Sequence, residues 1–294
     1  MTDVPTTGPS GGPAESWDPR AVLTEIGQRE DAAIDIAEAA LALAALDRQK
    51  AQPEPYREHL AAIAEAMRSE AEPGFDADGD AGLRARSITL SRVLAGTFSY
   101  QGDRQTYDDL QNANLMRVID RRKGLPVALA ILYIHAARSQ RWPIEGVNFP
   151  GHFVLRLHHR GRAMIIDPFA GGEPCDTAGL RQKLKAAAGE KAELQPEHYA
   201  PVGNRDILLR LENNLKIRLI QEGELERAAA VLEWMTLIAP KHAPLYREAG
   251  LIHARLGKLA AARASLERFL EISDNDSQRH QVARLIQDLG QQLN

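Results

Sequence analysis

Residues 124–130 read Gly124-Leu125-Pro126-Val127-Ala128-Leu129-Ala130, and they predict the start of a buried helix. Gly124 ends the preceding helix, because glycine is costly inside one. Pro126 suits the first turn of a new helix, where a backbone N–H has no intrahelical partner anyway. The chain is apolar at nearly every position from Val127 to Ala137. The sequence therefore predicts a helix that other elements cover on most sides.

Beyond this helix, β-branched and aromatic residues alternate in three segments, Ile144 to Phe149, Phe153 to Leu157 and Met164 to Ile166. The pattern predicts three short antiparallel strands. Pro150-Gly151-His152 precedes the second strand, and Asp167-Pro168-Phe169 follows the third. A helix start, a strand with a histidine and a strand ending in an aspartate resemble the order of Cys, His and Asp in the transglutaminase and papain-like core.

Thiol chemistry explains why this order matters. A thiol at a helix N-terminus gains thiolate character, a histidine pairs with it, and a carboxylate orients the imidazole. Here Pro126, two residues after Gly124, occupies the thiol position, and proline has no nucleophile. No Cys, Ser or Thr lies between Thr106 and Ser139. No neighbour at this helix start can therefore take over the role.

The same residues resemble the SirB-type regulator family, which combines a transglutaminase-like domain with tetratricopeptide repeats. The resemblance runs from about residue 18 to the end of the chain. The sequence motifs that carry the resemblance are Asn112-Ala113-Asn114-Leu115, Arg122-Lys123-Gly124-Leu125-Pro126, Gly146-Val147-Asn148-Phe149-Pro150-Gly151-His152-Phe153, Asp167-Pro168-Phe169-Ala170-Gly171-Gly172 and Leu211-Glu212-Asn213-Asn214-Leu215-Lys216. The family commonly carries Gly-x-Pro at the nucleophile position, so Pro126, His152 and Asp167 match its Pro, His and Asp.

The expected fold class is α+β and predominantly helical. It has a degenerate papain/transglutaminase-like core, in which a helix packs on a small antiparallel sheet. A helical N-terminal part precedes this core, and tetratricopeptide helical hairpins follow it.

The composition is that of a globular protein long enough for two domains, with 294 residues of which 44% are hydrophobic. A net charge of −4 with interspersed signs gives no basic field, so no nucleic-acid partner is expected. Cys175 is the single cysteine, so an internal disulfide cannot form. This is consistent with a reducing compartment, and we expect the protein in the cytoplasm. Residues 1–16 predict a disordered tail rather than a secretory signal. The longest apolar run is too short to span a membrane.

Helical periodicity extends from about Asp18 to Ala71, whereas Glu72 to Arg84 has the composition of a loop. Helical patterning resumes from Ser87 to Ala95 and from Leu110 to Arg121. Asp176 can cap a short helix that extends to about Ala188. These elements complete the predicted transglutaminase-like domain, residues 17–200.

From Asp206 onward the sequence repeats itself at an offset of 34 residues, so that Gly223 aligns with Gly257. This period is typical of tetratricopeptide helical hairpins. We place the domain boundary at Pro201-Val202-Gly203, and residues 204–294 form the repeats and a capping helix. Two repeats rarely stand alone, so this segment is expected to pack on the core or to be closed by the final helix.

The degenerate triad positions Pro126, His152 and Asp167 define the candidate site. His152 either belongs to a catalytic pair or is fixed in a turn, and Asp167 either orients it or bonds its own turn. Asn213 and Asn214 either satisfy backbone groups of the neighbouring loop or line the repeat groove, and Asn112 and Asn114 pose the same choice near the degenerate site. The candidate binding residues are Asn112, Asn114, Gly151, His152, Asp167, Phe169, Asn213 and Asn214.

Cys175 is interpreted as an inert loop cysteine, because a Gly-Gly-Glu-Pro flank is not a rigid mount for a nucleophile. His158 and His159 are placed at the strand-end turn before Arg160-Gly161, and neighbouring residues on a strand face opposite ways. We therefore expect no metal site, and no cofactor is predicted.

These observations predict a non-catalytic module that binds a protein or peptide partner through the groove of the repeats. The resemblance also implies a regulatory role. The alternative is a hydrolase or acyl-transferase that uses His152 and Asp167 with a non-standard nucleophile such as Cys175 or water.

Overall fold

The computed structural model describes residues 17–71 and 75–293. The predicted disordered tail lies outside these residues. The described α-helices are α1 (Pro19–Gln28), α2 (Ile36–Asp47), α3 (Glu54–Ser69), α4 (Asp80–Ser91), α5 (Leu115–Arg121), α6 (Pro126–Ser139), α7 (Thr177–Ala188), α8 (Asn204–Gln221), α9 (Leu225–Ile238), α10 (Ala243–Arg255), α11 (Leu259–Ile272) and α12 (Asp276–Leu293).

The described part of the chain also contains seven short strands. They are β1 (Gln101–Gly102), β2 (Lys123–Gly124), β3 (Ile144–Val147), β4 (Val154–His159), β5 (Arg162–Asp167), β6 (Glu173–Pro174) and β7 (Pro201–Val202). The strands β1 and β2 form a small parallel pair, and the other five form an antiparallel sheet in the order β6-β5-β4-β3-β7. The α+β, predominantly helical fold class is confirmed.

The three predicted strands correspond to β3, β4 and β5. Sequence patterning missed β6 and β7, because two residues are too few to show an alternation. His158 and His159 lie within β4, where they pair with β5, so their placement in the strand-end turn was wrong. Arg160 and Gly161 make that turn, and both have positive φ.

The predicted loop from Glu72 to Arg84 is shorter than expected, because α4 already begins at Asp80. Gly79, with φ of 68°, precedes the helix. A Cβ at Gly82 would lie 2.6 Å from a ring carbon of His159 on β4. Contact with the sheet, rather than helical periodicity, therefore fixes this part of α4. A π-helical turn, Arg92–Thr97, follows it.

The predicted buried helix is α6, whose residues are almost all inaccessible to solvent. It contacts α3 and α2 on one side and β3 and β4 on the other. The predicted helix from Leu110 to Arg121 is broken into a 3₁₀ turn, Leu110–Ala113, and α5, because the Asn114 side chain caps α5 at the break.

The C-terminal helices form two hairpins, α8 with α9 and α10 with α11, and α12 packs on α11. Gly223 and Gly257 occupy equivalent turns with φ of 79° and 69°, a conformation that favours glycine. One continuous apolar core extends from α1 through α6 to α10. As expected for so few repeats, the first hairpin packs directly on the core domain.

Residues on the two sides of the predicted boundary at 201–203 contact each other. Pro201 and Val202 pair with β3. The carboxylate of Asp31 accepts hydrogen bonds from the backbone N–H groups of Asn204 (2.8 Å) and Arg205 (2.8 Å) at the start of α8. The division into domains stays a prediction. Within the described ranges, no helix combines the length and apolar character needed to cross a bilayer.

Candidate functional site

The helix α6 begins at Pro126, the position at which the sequence predicts the nucleophile of a thiol-dependent site. Leu125 is extended, with ψ of 160°, and Pro126 is the first helical residue. The N–H of Leu125 donates to the carbonyl of Asn112 (3.1 Å). Pro126 is buried and carries no polar side-chain atom, so this position offers neither a nucleophile nor a proton donor.

His152 and Asp167 form a close pair. Nε2 of His152 lies 2.9 Å from both carboxylate oxygens of Asp167. The two residues are on neighbouring segments because β4 follows His152 and β5 ends at Asp167, and these strands pair antiparallel. No described residue hydrogen-bonds to Nδ1 of His152, so that ring nitrogen is the one left for another group.

The turn before His152 is held at several points. Gly151 has φ of 65°, and a Cβ there would lie 2.5 Å from Cβ of Ala187 on α7. The carbonyl of His152 accepts a hydrogen bond from Arg210 of α8 (3.0 Å), which also bonds the side chain of Asn148. The first repeat helix therefore fixes the loop that carries the histidine.

Asp167 is 2% exposed and has a second side-chain partner besides His152. Nζ of Lys183, on α7, lies 2.6 Å from its Oδ2, and the N–H of Phe169 donates to its Oδ1 (3.0 Å). Burial by itself raises the pKa of this carboxyl. The hydrogen bonds and charges of His152 and Lys183 outweigh burial and lower the pKa to about 2. The group is therefore an anion at neutral pH, bound by the imidazole of His152 and the ammonium group of Lys183.

The sequence relationships agree with this geometry. A family model described as the transglutaminase-like superfamily matches residues 54–213, which cover the start of α6, His152 and Asp167. The chain belongs to the transglutaminase-like superfamily. A second model, described as a tetratricopeptide repeat, matches residues 215–287.

Several proteins are similar to this transglutaminase-like chain. A UPF0162 protein of Xylella fastidiosa is 32% identical over 192 residues, which are 64% of this chain and 68% of the relative. A UPF0162 protein of Vibrio cholerae is 30% identical over 194 residues, 66% of this chain and 72% of the relative. Protein SirB1 of Salmonella typhimurium is 29% identical over 198 residues, 66% and 73% respectively. The resemblance to the SirB-type family is confirmed.

Cys175 lies near the transglutaminase-like site but on the Asp167 side of it. It directly follows β6, and its backbone N–H donates to the carbonyl of Ile165 (2.8 Å). With Asp167 and Lys183 it lines a cavity of about 420 Å³. Burial raises the pKa of its thiol, and its Sγ lies 3.9 Å from the carbonyl oxygen of Asp176. Its flank is thus ordered by the sheet edge, and burial holds the pKa of its thiol above the ordinary value.

Phe169 forms the aromatic wall of the site. Its ring meets the ring of His152 edge-on, at 5.9 Å between centroids, and the ring of Tyr107 also at 5.9 Å. The guanidinium of Arg104 lies 5.4 Å from the Phe169 centroid. A Cβ at Gly102 would lie 2.4 Å from the Phe169 ring, so glycine is what allows the ring to lie against β1.

Asn112 and Asn114 are buried and bonded within the chain. The Asn112 amide donates to the carbonyl of Thr106 (2.6 Å) and accepts from Arg121 (2.9 Å). The Asn114 carbonyl oxygen accepts from the N–H of Arg117 (3.1 Å), and its amide donates to the carbonyl of Ala44 (3.0 Å). The structure thus realises the backbone-satisfying alternative for this pair. Asn112 holds the loop that bears Tyr107.

Asn213 and Asn214 on α8 differ from each other. The Asn214 amide donates to the carbonyl of Arg210, one turn earlier (2.7 Å). Asn213 is half-buried and makes no hydrogen bond to a described residue. Asn214 therefore bonds the backbone of its own helix, and Asn213 has no hydrogen-bond partner among the described residues.

The other histidines near the sheet have structural contacts. Nε2 of His159 lies 2.9 Å from the carbonyl oxygen of Ala77, and Nε2 of His158 lies 3.1 Å from the carboxylate of Glu145. Among the residues that the structure describes, no group of three or more His, Cys, Asp or Glu side chains is arranged to hold a metal ion.

Sequence reasoning missed Lys183, Arg210 and Tyr107 as members of this neighbourhood. The predicted cap at Asp176 correctly located α7, but helical spacing does not tell which lysine of that helix reaches a distant carboxylate. Arg210, one turn before Asn214, carried a usable signal, because a cation inside a mostly buried helix requires a specific partner.

Proposed function

We propose that this chain is a regulatory binding module of the cytoplasm, in which the transglutaminase-like frame performs no thiol catalysis. Pro126 at the first position of α6 carries the proposal, because it removes the nucleophile from a frame whose His152 and Asp167 remain paired. The environment of Cys175 supports the same reading. Its pKa is raised by burial, and it makes no hydrogen bond to His152 within the described residues.

The repeat helices supply the binding surface. Ile217 on α8 is 44% exposed, and Asn213 lies one helical turn before it. The residue of α10 equivalent to Asn213 is Arg247, a half-buried side chain whose Nε has no described partner. We name Asn213, Ile217 and Arg247 the repeat face. An exposed isoleucine, together with unbonded amide and guanidinium groups on the repeat helices, suits a peptide that offers an apolar side chain and backbone carbonyls.

Selection from a library of twelve-residue peptides on the full chain tests this proposal. We expect selected peptides to bind the wild type and to bind Ile217→Glu at least about tenfold more weakly, because a charge replaces the apolar contact. Ile88→Glu is the matched control, since Ile88 is a 50% exposed isoleucine outside the repeats. Failure to select any peptide, or equal weakening in both variants, would contradict the repeat face.

The retained pair favours one second candidate, a hydrolase or acyl-transferase. Nδ1 of His152 has no described partner, while Asp167 holds Nε2. An imidazole held in this way can act as a general base toward water or another nucleophile. An esterase or amidase activity that disappears in His152→Ala, while far-UV circular dichroism shows that the variant is still folded, would establish this candidate instead.

A further inference from the structure

A second cavity lies against Phe169 and β1. Its volume is about 440 Å³, and it is lined by residues 101–105, Lys123, residues 169–171 and Glu173. This size lies within the range of pockets that enclose small ligands or short peptide ends. The repeat face contributes no residue to it, so a ligand here would be bound by a different part of the protein.

Two cations in this cavity have no anionic partner. Arg104 and Lys123 make no ion pair with any described residue. The guanidinium of Arg104 makes a cation–π contact with the Phe169 ring. Neighbouring arginines are engaged: Arg121 binds Asp103 (2.9 Å) and Arg218 binds Asp108 (3.0 Å). Arg104 and Lys123 are therefore the positive charges available to a ligand.

The carboxylates of the cavity set how much negative charge a ligand can bring. Asp103 is 2% exposed and accepts hydrogen bonds from Arg121, from the hydroxyl of Thr106 and from backbone N–H groups, so its charge is compensated. Glu173 is exposed and pairs with no described cation. Two free cations and one free carboxylate leave a net charge of about +1, which matches a monoanion better than a dianion such as phosphate.

The uncharged lining matches a peptide. The Phe169 ring, which Gly102 admits at close range, offers an apolar surface. Gln101 and Gln105 both line the cavity, and amide side chains donate to and accept from a peptide backbone. Arginine also recognises carboxylates through paired N–H groups.

We infer that this cavity binds the carboxylate of a peptide segment, with Arg104 and Lys123 as its cationic partners and Phe169 as the apolar contact. The carboxylate belongs either to a chain terminus or to an acidic side chain, and the chemistry that recognises the two is the same. This site goes beyond the proposed repeat face and does not depend on it.

Fluorescence anisotropy with the full chain and a fluorescein-labelled peptide, Gly-Ser-Phe-Glu, tests the inference at about 150 mM salt, where long-range attraction is screened. We expect saturable binding that weakens about tenfold in Arg104→Ala and in Lys123→Ala, because each variant removes one charge-assisted hydrogen bond. Glu173→Gln should bind more tightly, since it removes the opposing carboxylate. Lys241→Ala, an exposed cation in the repeats, is the control and should not change the affinity.

Modified peptides identify the source of the carboxylate. Loss of binding on amidation of the C-terminus assigns a chain end, and loss on replacing the glutamate with glutamine assigns a side chain. No saturable binding below about 1 mM, undiminished binding to the Arg104→Ala/Lys123→Ala double variant, or undiminished binding of the doubly neutralised peptide would overturn the inference. A loss in Ile217→Glu would place the peptide on the repeat face. That result would overturn this site and leave the proposed function standing.

Discussion

Replacing Asp167 with asparagine tests how much the shared carboxylate stabilises the fold. The pKa of Asp167 falls from 3.8 to about 2 when the chain folds, although burial alone would raise it, because His152 and Lys183 bind the anion. Each pKa unit corresponds to about 1.4 kcal/mol. The ionised carboxylate therefore contributes about 2 kcal/mol to the free energy of unfolding at neutral pH.

The sign of the pH dependence follows from the lowered pKa. The contribution is fully present above the unfolded pKa, and it is lost as pH falls from about 4 toward 2. Asp167→Asn should lower the free energy of unfolding by about 2 kcal/mol at pH 7. The difference from the wild type should shrink to about 1 kcal/mol at pH 3, because about half of the carboxylate's advantage has then been titrated away.

Urea unfolding followed by far-UV circular dichroism at several pH values measures this difference. Asp274→Asn is the matched control, because Asp274 is exposed and makes no hydrogen bond or ion pair with a described residue. An equal midpoint for Asp167→Asn and the wild type at pH 7, or a difference that stays constant down to pH 3, would refute the reasoning.

Three further predictions concern Glu212, Gly102 and Cys175. Burial, followed by the charge of Asp47, raises the pKa of Glu212 to about 8, and its Oε2 has no described partner. Because the pKa of Glu212 is higher in the folded than in the unfolded chain, ionisation of this group destabilises the fold as pH rises above about 4.5. Glu212→Gln should therefore raise the free energy of unfolding by roughly 1–3 kcal/mol at pH 7.5 and by little at pH 4.5, as urea unfolding will measure. Gly102→Ala should lower the free energy of unfolding by about 1–3 kcal/mol, because the added Cβ would lie 2.4 Å from the Phe169 ring. Gly96→Ala is the control and should unfold at the wild-type temperature, because the nearest atom to its added Cβ would be 3.9 Å away. Cys175 should react slowly with iodoacetamide at neutral pH, with the raised pKa of a buried thiol, as a pH titration of the rate will test.

The local sequence determined those parts of the fold whose signals lie within a few residues. Pro126 and the apolar run after it are sufficient to start α6, and the glycines at 223 and 257 mark the turns of both hairpins. The prediction that Gly124 ends the preceding helix was wrong, because α5 already ends at Arg121 and Gly124 lies in β2. The pairing of His152 with Asp167 was also predictable as one of two alternatives, because adjacent antiparallel strands bring their facing ends together.

Contacts between distant segments could not be predicted in this way. Lys183 reaches Asp167 because of how α7 lies against the sheet, and α4 begins early because Gly82 packs on His159. Neither fact leaves a periodic pattern in the sequence. Arg104 and Lys123 likewise meet at one cavity although they are 19 residues apart in the chain, and the role proposed for them rests on that meeting.

The pH dependence of Cys175 alkylation in the wild type and in His152→Ala tests the central claim most directly, since that claim is the absence of a thiol–imidazole pair. An unpaired thiol has a pKa of about 8.5, and burial raises that pKa further. A thiol beside an imidazolium has a pKa that is lower by several pH units. We expect an apparent pKa at or above the ordinary thiol value, unchanged by His152→Ala. A low apparent pKa that returns to the ordinary value in His152→Ala would mean a working Cys–His pair, and the proposal of a site without thiol catalysis would then be wrong.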